Sequence, residues 1–187
     1  MKTSRTGNAS LFDNKESKEK NKKEVIIYTD GGCLGNPGPG GYGAVLKYGK
    51  HVKEISAGFR LTTNNRMEIT AAIEALRSLK PGKKNSVVIY SDSQLLVNAM
   101  SKGWAVKWKD NGWKRNRKDK ALNPDLWEKL LDEAKKHNLR FVWVKGHANI
   151  PENERCDKLS KAAATGNNLI IDTEYEKENP YNSINKK

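Results

Sequence analysis

Two hydrophobic periods alternate along the chain. Short runs rich in β-branched and aromatic residues at 25–28, 44–48, 52–59, 87–90 and 140–144 predict strands. Between and after them, apolar residues return every three or four positions. Ile69, Ala72, Ile73, Leu76 and Leu79 form one such stripe over 66–80, stopped by Pro81-Gly82. Ser91-Asp92-Ser93 opens a second helix over 94–100, Pro124 a third over 124–137, and Pro151 a last one over 151–164. The first three strands are joined only by turn formers, the Gly- and Pro-dense stretch 35–43 and a tight turn at Gly49, so antiparallel pairing is expected. The later two are reached through helices, which makes parallel pairing the expectation. The order β-β-β-α-β-α-α-β-α predicts an α/β (α+β mixed) fold: one five-stranded mixed sheet, three antiparallel strands followed by parallel strands, with helices on both faces.

The periodicity is lost at both ends. Residues 1–23 are rich in Lys, Ser and Asn with few apolar side chains, and predict a disordered basic arm; 165–187 predict a flexible C-terminal tail of near-neutral charge. That leaves 24–164 as one folded domain, in keeping with a length of 187 residues. No apolar run approaches the roughly 20 residues of a membrane span, and no signal-peptide core is present. Cys33 and Cys156 stand far apart, which speaks against a disulfide framework or a zinc cluster. A cytoplasmic location is the expectation. Charge adds a direction: 35 Lys and Arg against 22 Asp and Glu leave +13, the balance of a protein with a polyanionic partner, nucleic acid foremost.

Against that basic background four carboxylates stand out by position. Asp30 and Asp92 follow strands, Glu68 lies in the first turn of a helix, and Asp157 falls early in the last helix. Singly, each has a plain structural reading: Asp30 as a turn former, Glu68 as the return partner of an Asn65 cap, Asp92 as a helix cap, Asp157 as a first-turn acid favoured by the helix dipole. Together, at the C-terminal ends of parallel strands, they would repel one another unless cations were bound. Hard oxygen ligands of this kind suit Mg²⁺ or Mn²⁺.

Five strings carry these residues: Tyr28-Thr-Asp-Gly-Gly-Cys-Leu-Gly-Asn-Pro-Gly-Pro-Gly-Gly-Tyr-Gly43, Thr62-Thr-Asn-Asn-Arg-Met-Glu68, Ser91-Asp92-Ser93, Val144-Lys-Gly-His147 and Pro151-Glu-Asn-Glu-Arg-Cys-Asp157. In this order and spacing they resemble the type 1 ribonuclease H family, the bacterial cellular form especially, over about residues 24–164. The resemblance implies an endonuclease that hydrolyses the RNA strand of an RNA/DNA hybrid and leaves 3′-hydroxyl and 5′-phosphate ends. It implies that Asp30, Glu68, Asp92 and Asp157 hold two Mg²⁺ ions about 4 Å apart, with Mn²⁺ a substitute and Asp157 on the water-activating side. His147 resembles the residue that assists proton transfer or product release, and Asn153 a helper near it.

Selecting a hybrid requires reading the 2′-hydroxyl in a wide minor groove. By the resemblance, Cys33, Asn36, Asn64, Asn65 and Gln94 would line that groove on the RNA strand. Thr63 and Asn123 match a pocket for one DNA phosphate; Leu61 stands where some relatives carry arginine, so the pocket is expected to be weaker or to borrow Arg60. The segment 102–120 interleaves eight Lys and Arg with Trp104, Trp108 and Trp113, cations for phosphates and rings for sugar or base contact. It corresponds to the family's basic protrusion, with Trp104 and Trp108 facing the DNA strand. The enzyme is expected to act as a monomer. A non-catalytic binding module would explain the charge but would set four carboxylates against a polyanion without purpose. Transposase, integrase and reverse-transcriptase-linked nuclease domains share the fold; the basic protrusion favours the free-standing enzyme.

Overall fold

The computed structural model describes residues 24–181; the predicted arm 1–23 and the terminal 182–187 lie outside the described residues. The chain runs β1 (Val25–Cys33), β2 (Gly38–Tyr48), β3 (His51–Thr62), α1 (Asn64–Arg77), β4 (Ser86–Ser91), α2 (Gln94–Ser101), α3 (Trp104–Asp110), α4 (Pro124–Ala134), β5 (Asn138–Trp143), α5 (Pro151–Ala164) and α6 (Thr173–Glu178). One sheet holds the strands in the order β3-β2-β1-β4-β5, antiparallel across β1 to β3 and parallel from β1 through β4 to β5. The mixed sheet expected from the sequence is present.

Strand alternation divides the two faces. Val25 and Ile27, Ala44 and Leu46, Val87 and Ile89 point to one side, where Ile69, Ile73 and Leu76 of α1, Leu96 of α2, and Leu126, Trp127 and Leu130 of α4 complete the core. Each fully buried aliphatic or aromatic side chain there contributes about 1.5–3 kcal/mol of transfer energy. The residues between them turn to α5. Gly43 is the reason α5 lies so close, because a Cβ there would overlap the Cys156 carbonyl. This explains why 38–43, expected as a Gly- and Pro-rich connection, is instead the first half of β2: its glycines form strand backbone that a helix can press against.

Other details depart from the sequence reading. Helix α1 is capped by Thr63, whose Oγ1 accepts from the Arg66 N–H at 3.4 Å, not by Asn65. Helix α2 is capped by Ser93 rather than Asp92, with Leu96 N–H donating to Ser93 Oγ at 3.3 Å. A short helix, α3, forms inside the basic segment. The predicted flexible tail also differs over its described part. Ile170 N–H donates to Gly58 O and Arg60 N–H to Ile170 O, so residues 169–171 lie along β3, and α6 follows. The anchor is Asp172, which supplies a charge partner to the buried Arg66 across a sequence separation of 106 that no local period records. Among the described residues no helix is long and apolar enough to cross a membrane.

Candidate active site

The parallel register builds the centre. Thr29 of β1 pairs with Ser91 of β4, so the next residues, Asp30 and Asp92, emerge side by side at the carboxyl end of the pair. Because Ser93 caps α2, and Ser91 Oγ accepts from Ser93 N–H at 3.1 Å, the Asp92 side chain is released from capping. Glu68 arrives from the other direction. A Cβ at Gly31 would overlap the backbone of Met67 and Glu68, so only glycine there lets the first turns of α1 lie against β1. One carboxylate oxygen from each of Asp30, Glu68 and Asp92 then lies within 4.8 Å of the others.

Such crowding is electrostatically costly. Burial, then the charges of Asp92 and Asp157, push Asp30 up to about 6, opposed by a Ser160 hydroxyl at 3.3 Å and the Gly31 N–H. Glu68 is driven well above the ordinary carboxylate range by burial and by Asp30 and Asp92. Its Oε2 is buried without a hydrogen-bond partner among the described residues. An orphaned acceptor amid like charges, in an all-oxygen donor set, is what a divalent cation would satisfy, so these residues fit a metal. Asn153 Nδ2 donates to Asp92 Oδ2 at 3.4 Å. The loop between β5 and α5 closes over the same oxygen: a Cβ at Gly146 would come within 2.7 Å of Asp92 Oδ2.

The remaining predicted residues are arranged around this centre. Asp157 stands outside the three-carboxylate cluster, its Oδ2 held by Lys161 Nζ at 2.8 Å, yet near enough for its charge to raise Asp30. His147 is exposed, with a left-handed backbone at φ 52°. Asn64 links two of the residues expected to line the groove, accepting from the Cys33 N–H at 2.8 Å and donating its own N–H to Asn36 Oδ1 at 3.1 Å. Asn65 and Gln94 are exposed at the starts of α1 and α2. Thr63 and Asn123 both touch Arg66, whose Nη1 lies 3.4 Å from Asn123 Oδ1. Arg60 is not available to that pocket: Glu176 takes its guanidinium in a fork, at 2.7 Å from Nη2, and Tyr181 stacks 5.0 Å away.

The basic segment has a dual character. Trp104 and Trp108 are half-buried, Trp108 packing edge-on to Trp127 at 5.6 Å, so these rings serve the core as well as the surface. Lys109 is occupied by Glu128 at 2.9 Å, whereas Lys107, Lys114, Arg115 and Arg117 are exposed. Two features escaped the sequence reading. Ser160, at helical spacing from Asp157, could have been found by that period; the Arg66 cluster with Asp125 and Asp172 is assembled from distant segments and could not.

Carboxylates gathered at the carboxyl end of a parallel pair, in a mixed sheet flanked by a basic surface, define the class of metal-dependent phosphodiester hydrolases. The RNase H family model matches residues 22–165, and the chain belongs to that family. It is 66% identical over 154 residues to the ribonuclease H of Syntrophus aciditrophicus, covering 82% of this chain and 88% of that protein. With the ribonuclease HI of Synechocystis it shares 55% identity, covering 82% and 95%. Among solved structures, LC11-RNase H1 in complex with an RNA/DNA hybrid is similar with a TM-score of 0.57 and 28% identity, over 75% of this chain and 96% of that one.

Proposed function

We propose that this chain hydrolyses the RNA strand of RNA/DNA hybrids, leaving 3′-hydroxyl and 5′-phosphate ends, with Mg²⁺ held by Asp30, Glu68, Asp92 and Asp157 and Mn²⁺ able to replace it. The observation that carries the reading is the orphaned Glu68 Oε2 within a cluster of three carboxylates that disfavour one another. Held by these residues, divalent cations would supply activation of the attacking water and charge stabilisation at the departing 3′-oxygen. The protein's part is to hold the carboxylates in place. Asn153 holds Asp92, Ser160 orients Asp30, and Gly31 sets the depth of Glu68. Asp157, whose Oδ2 is held by Lys161, would offer its other oxygen to a cation. Cys33, Asn36 and Asn64 join the β1–β2 connection to α1, and with Asn65 and Gln94 offer neutral groups to the 2′-hydroxyls of the RNA strand.

His147, exposed on the loop that covers Asp92, moves a proton or eases product release. His147→Ala is expected to lower kcat by about 10²-fold with KM little changed, because the metal site carries most of the charge stabilisation. Steady-state kinetics checks this; a folded variant with no residual turnover would reverse the ranking.

Lys107, Lys114 and Arg117 are read as phosphate contacts on the DNA strand, with Trp104 and Trp108 beside them. Replacing the three with Ala is expected to raise KM and to flatten its logarithmic salt dependence by about 2–3, leaving kcat at saturation nearly unchanged. An unchanged salt slope would make this segment a solvated face only. The reading as a whole is tested by offering labelled RNA/DNA hybrid, duplex RNA, duplex DNA and single strands in Mg²⁺. Cleavage of the hybrid alone supports it; equal cleavage of duplex RNA contradicts it.

A further inference from the structure

The matched family span ends at residue 165, yet the segment beyond it delivers a buried charge to Arg66, beside Thr63 and Asn123. Arg66 is 3% exposed and its guanidinium is held from two sides. Asp172 accepts from Nε at 2.6 Å and Nη2 at 2.7 Å; Asp125 accepts from Nη1 at 2.9 Å and Nη2 at 2.8 Å. Asp172 is itself fixed, accepting from the Thr62 hydroxyl at 2.8 Å and capping α6.

What Arg66 does with its remaining donors matters most. Its Nη1 donates to Asn123 Oδ1, and its backbone N–H donates to Thr63 Oγ1, each at 3.4 Å. A guanidinium has donors and no acceptor, so the Asn123 amide must turn its oxygen to Arg66 and its NH₂ outward. Likewise, Thr63 Oγ1 accepts from the helix and keeps its proton to donate. Both side chains thus offer outward donors with their acceptor ends engaged, the arrangement an anionic phosphate oxygen requires.

We infer that Asp172 is a positioning residue for the DNA-phosphate pocket: it holds the Arg66 guanidinium, and that guanidinium sets the donor direction of Asn123. The inference rests on the proposed reading of Asn123 and Thr63 as that pocket. Without Asp172, the Nε edge of the guanidinium is unheld and the cation is drawn wholly onto Asp125, away from the amide it orients.

The test is a double-mutant cycle in the full chain, read as KM, kcat and salt slope on a hybrid. Asp172→Asn is expected to raise KM about three- to tenfold with kcat within about twofold, the effect of weakening one charge-assisted contact. Asn123→Ala should raise KM similarly, and the double variant should be no worse than Asn123→Ala, because both act on one contact. Because a neutral amide neutralises no phosphate, the salt slope should stay nearly unchanged in all three variants, which separates this contact from the loss of a cation. As a control, Lys177→Ala removes the exposed Glu174 pair of α6 without touching Arg66 or Arg60; its KM should stay within about twofold. Should Asp172→Asn lack a native circular-dichroism spectrum, Asp172→Glu, which keeps the charge and displaces the fork, carries the same test. An Asp172 variant that folds and leaves KM unchanged while Asn123→Ala raises it would overturn the inference and leave the pocket standing. Multiplying effects in the double variant would also overturn it. An unchanged KM in Asn123→Ala would overturn the pocket reading, and the inference with it.

Discussion

Asp92→Asn is expected to reduce hybrid cleavage by about a thousandfold or more while hybrid binding is kept or tightened. Asp92 lies where three structural inputs converge: its oxygen is near those of Asp30 and Glu68, it accepts from Asn153, and the Gly146 backbone closes over it. An amide keeps the shape and removes the charge. Losing an anionic ligand costs several kcal/mol of metal-dependent stabilisation, and each 1.36 kcal/mol is tenfold in rate. The same loss lessens repulsion of the phosphates, so affinity should not fall. Single-turnover cleavage and hybrid affinity by fluorescence anisotropy decide the matter together. Turnover above about a tenth of the parent enzyme would mean that Asp92 is not a ligand the reaction needs.

The second large effect is on stability, and its sign follows from proton counting. Asp30 titrates at about 6 in the folded protein against 3.8 for an ordinary side chain, because of burial and then the charges of Asp92 and Asp157. Between those values the folded state binds more protons than the unfolded one, so stability in chelator falls as pH rises through that window. By pH 7.5 the loss from this group alone is about 3 kcal/mol, and the raised Glu68 adds to it in the same direction. Asp30→Asn abolishes the ionisation. In chelator it should raise Tm at pH 7.5 by about 6–12 °C, with a smaller gain near pH 4. Mg²⁺ should stabilise the parent protein and not the variant. A Tm equal to that of the parent at pH 7.5 in chelator would show that the carboxylate carries no such penalty.

How much of this was legible in the sequence depends on the range of the interaction concerned. The strands and helices around Ile27, Ile73, Ile89 and Trp127 follow from local periodicity, and the sheet order is compatible with the connections that separate them. The position of Asp92 just past a strand was readable for the same reason, whereas Asp30, expected to follow a strand as a turn former, lies inside β1, which continues to Cys33 and pairs Asp30 with Gly43 of β2. Gly31 and Gly43 were visible as turn-like residues, whereas their use, admitting α1 and α5 against bare strand backbone, requires the partner helix to be in place. The caps at Thr63 and Ser93 lay within two residues of the ones expected, a choice among neighbouring polar residues that only backbone geometry makes. Asp172 was read as part of a featureless tail because its value lies in Arg66, a partner 106 positions away, and single-chain periodicity carries no record of such pairs. Of the two outcomes expected for the pocket at Thr63 and Asn123, a weaker site or one that borrows Arg60, the Arg60–Glu176 pair disfavours the second.

The central claim is that this carboxylate cluster hydrolyses RNA through cation-dependent attack by water, not by the RNA's own 2′-hydroxyl. Its most direct test is end-group analysis of the products from a hybrid labelled separately on each strand, with Mg²⁺ and with chelator. Cuts in the RNA strand alone, 3′-hydroxyl and 5′-phosphate termini, and no cleavage in chelator are expected. Cyclic 2′,3′-phosphate ends, or cleavage that persists after the cations are removed, would contradict it.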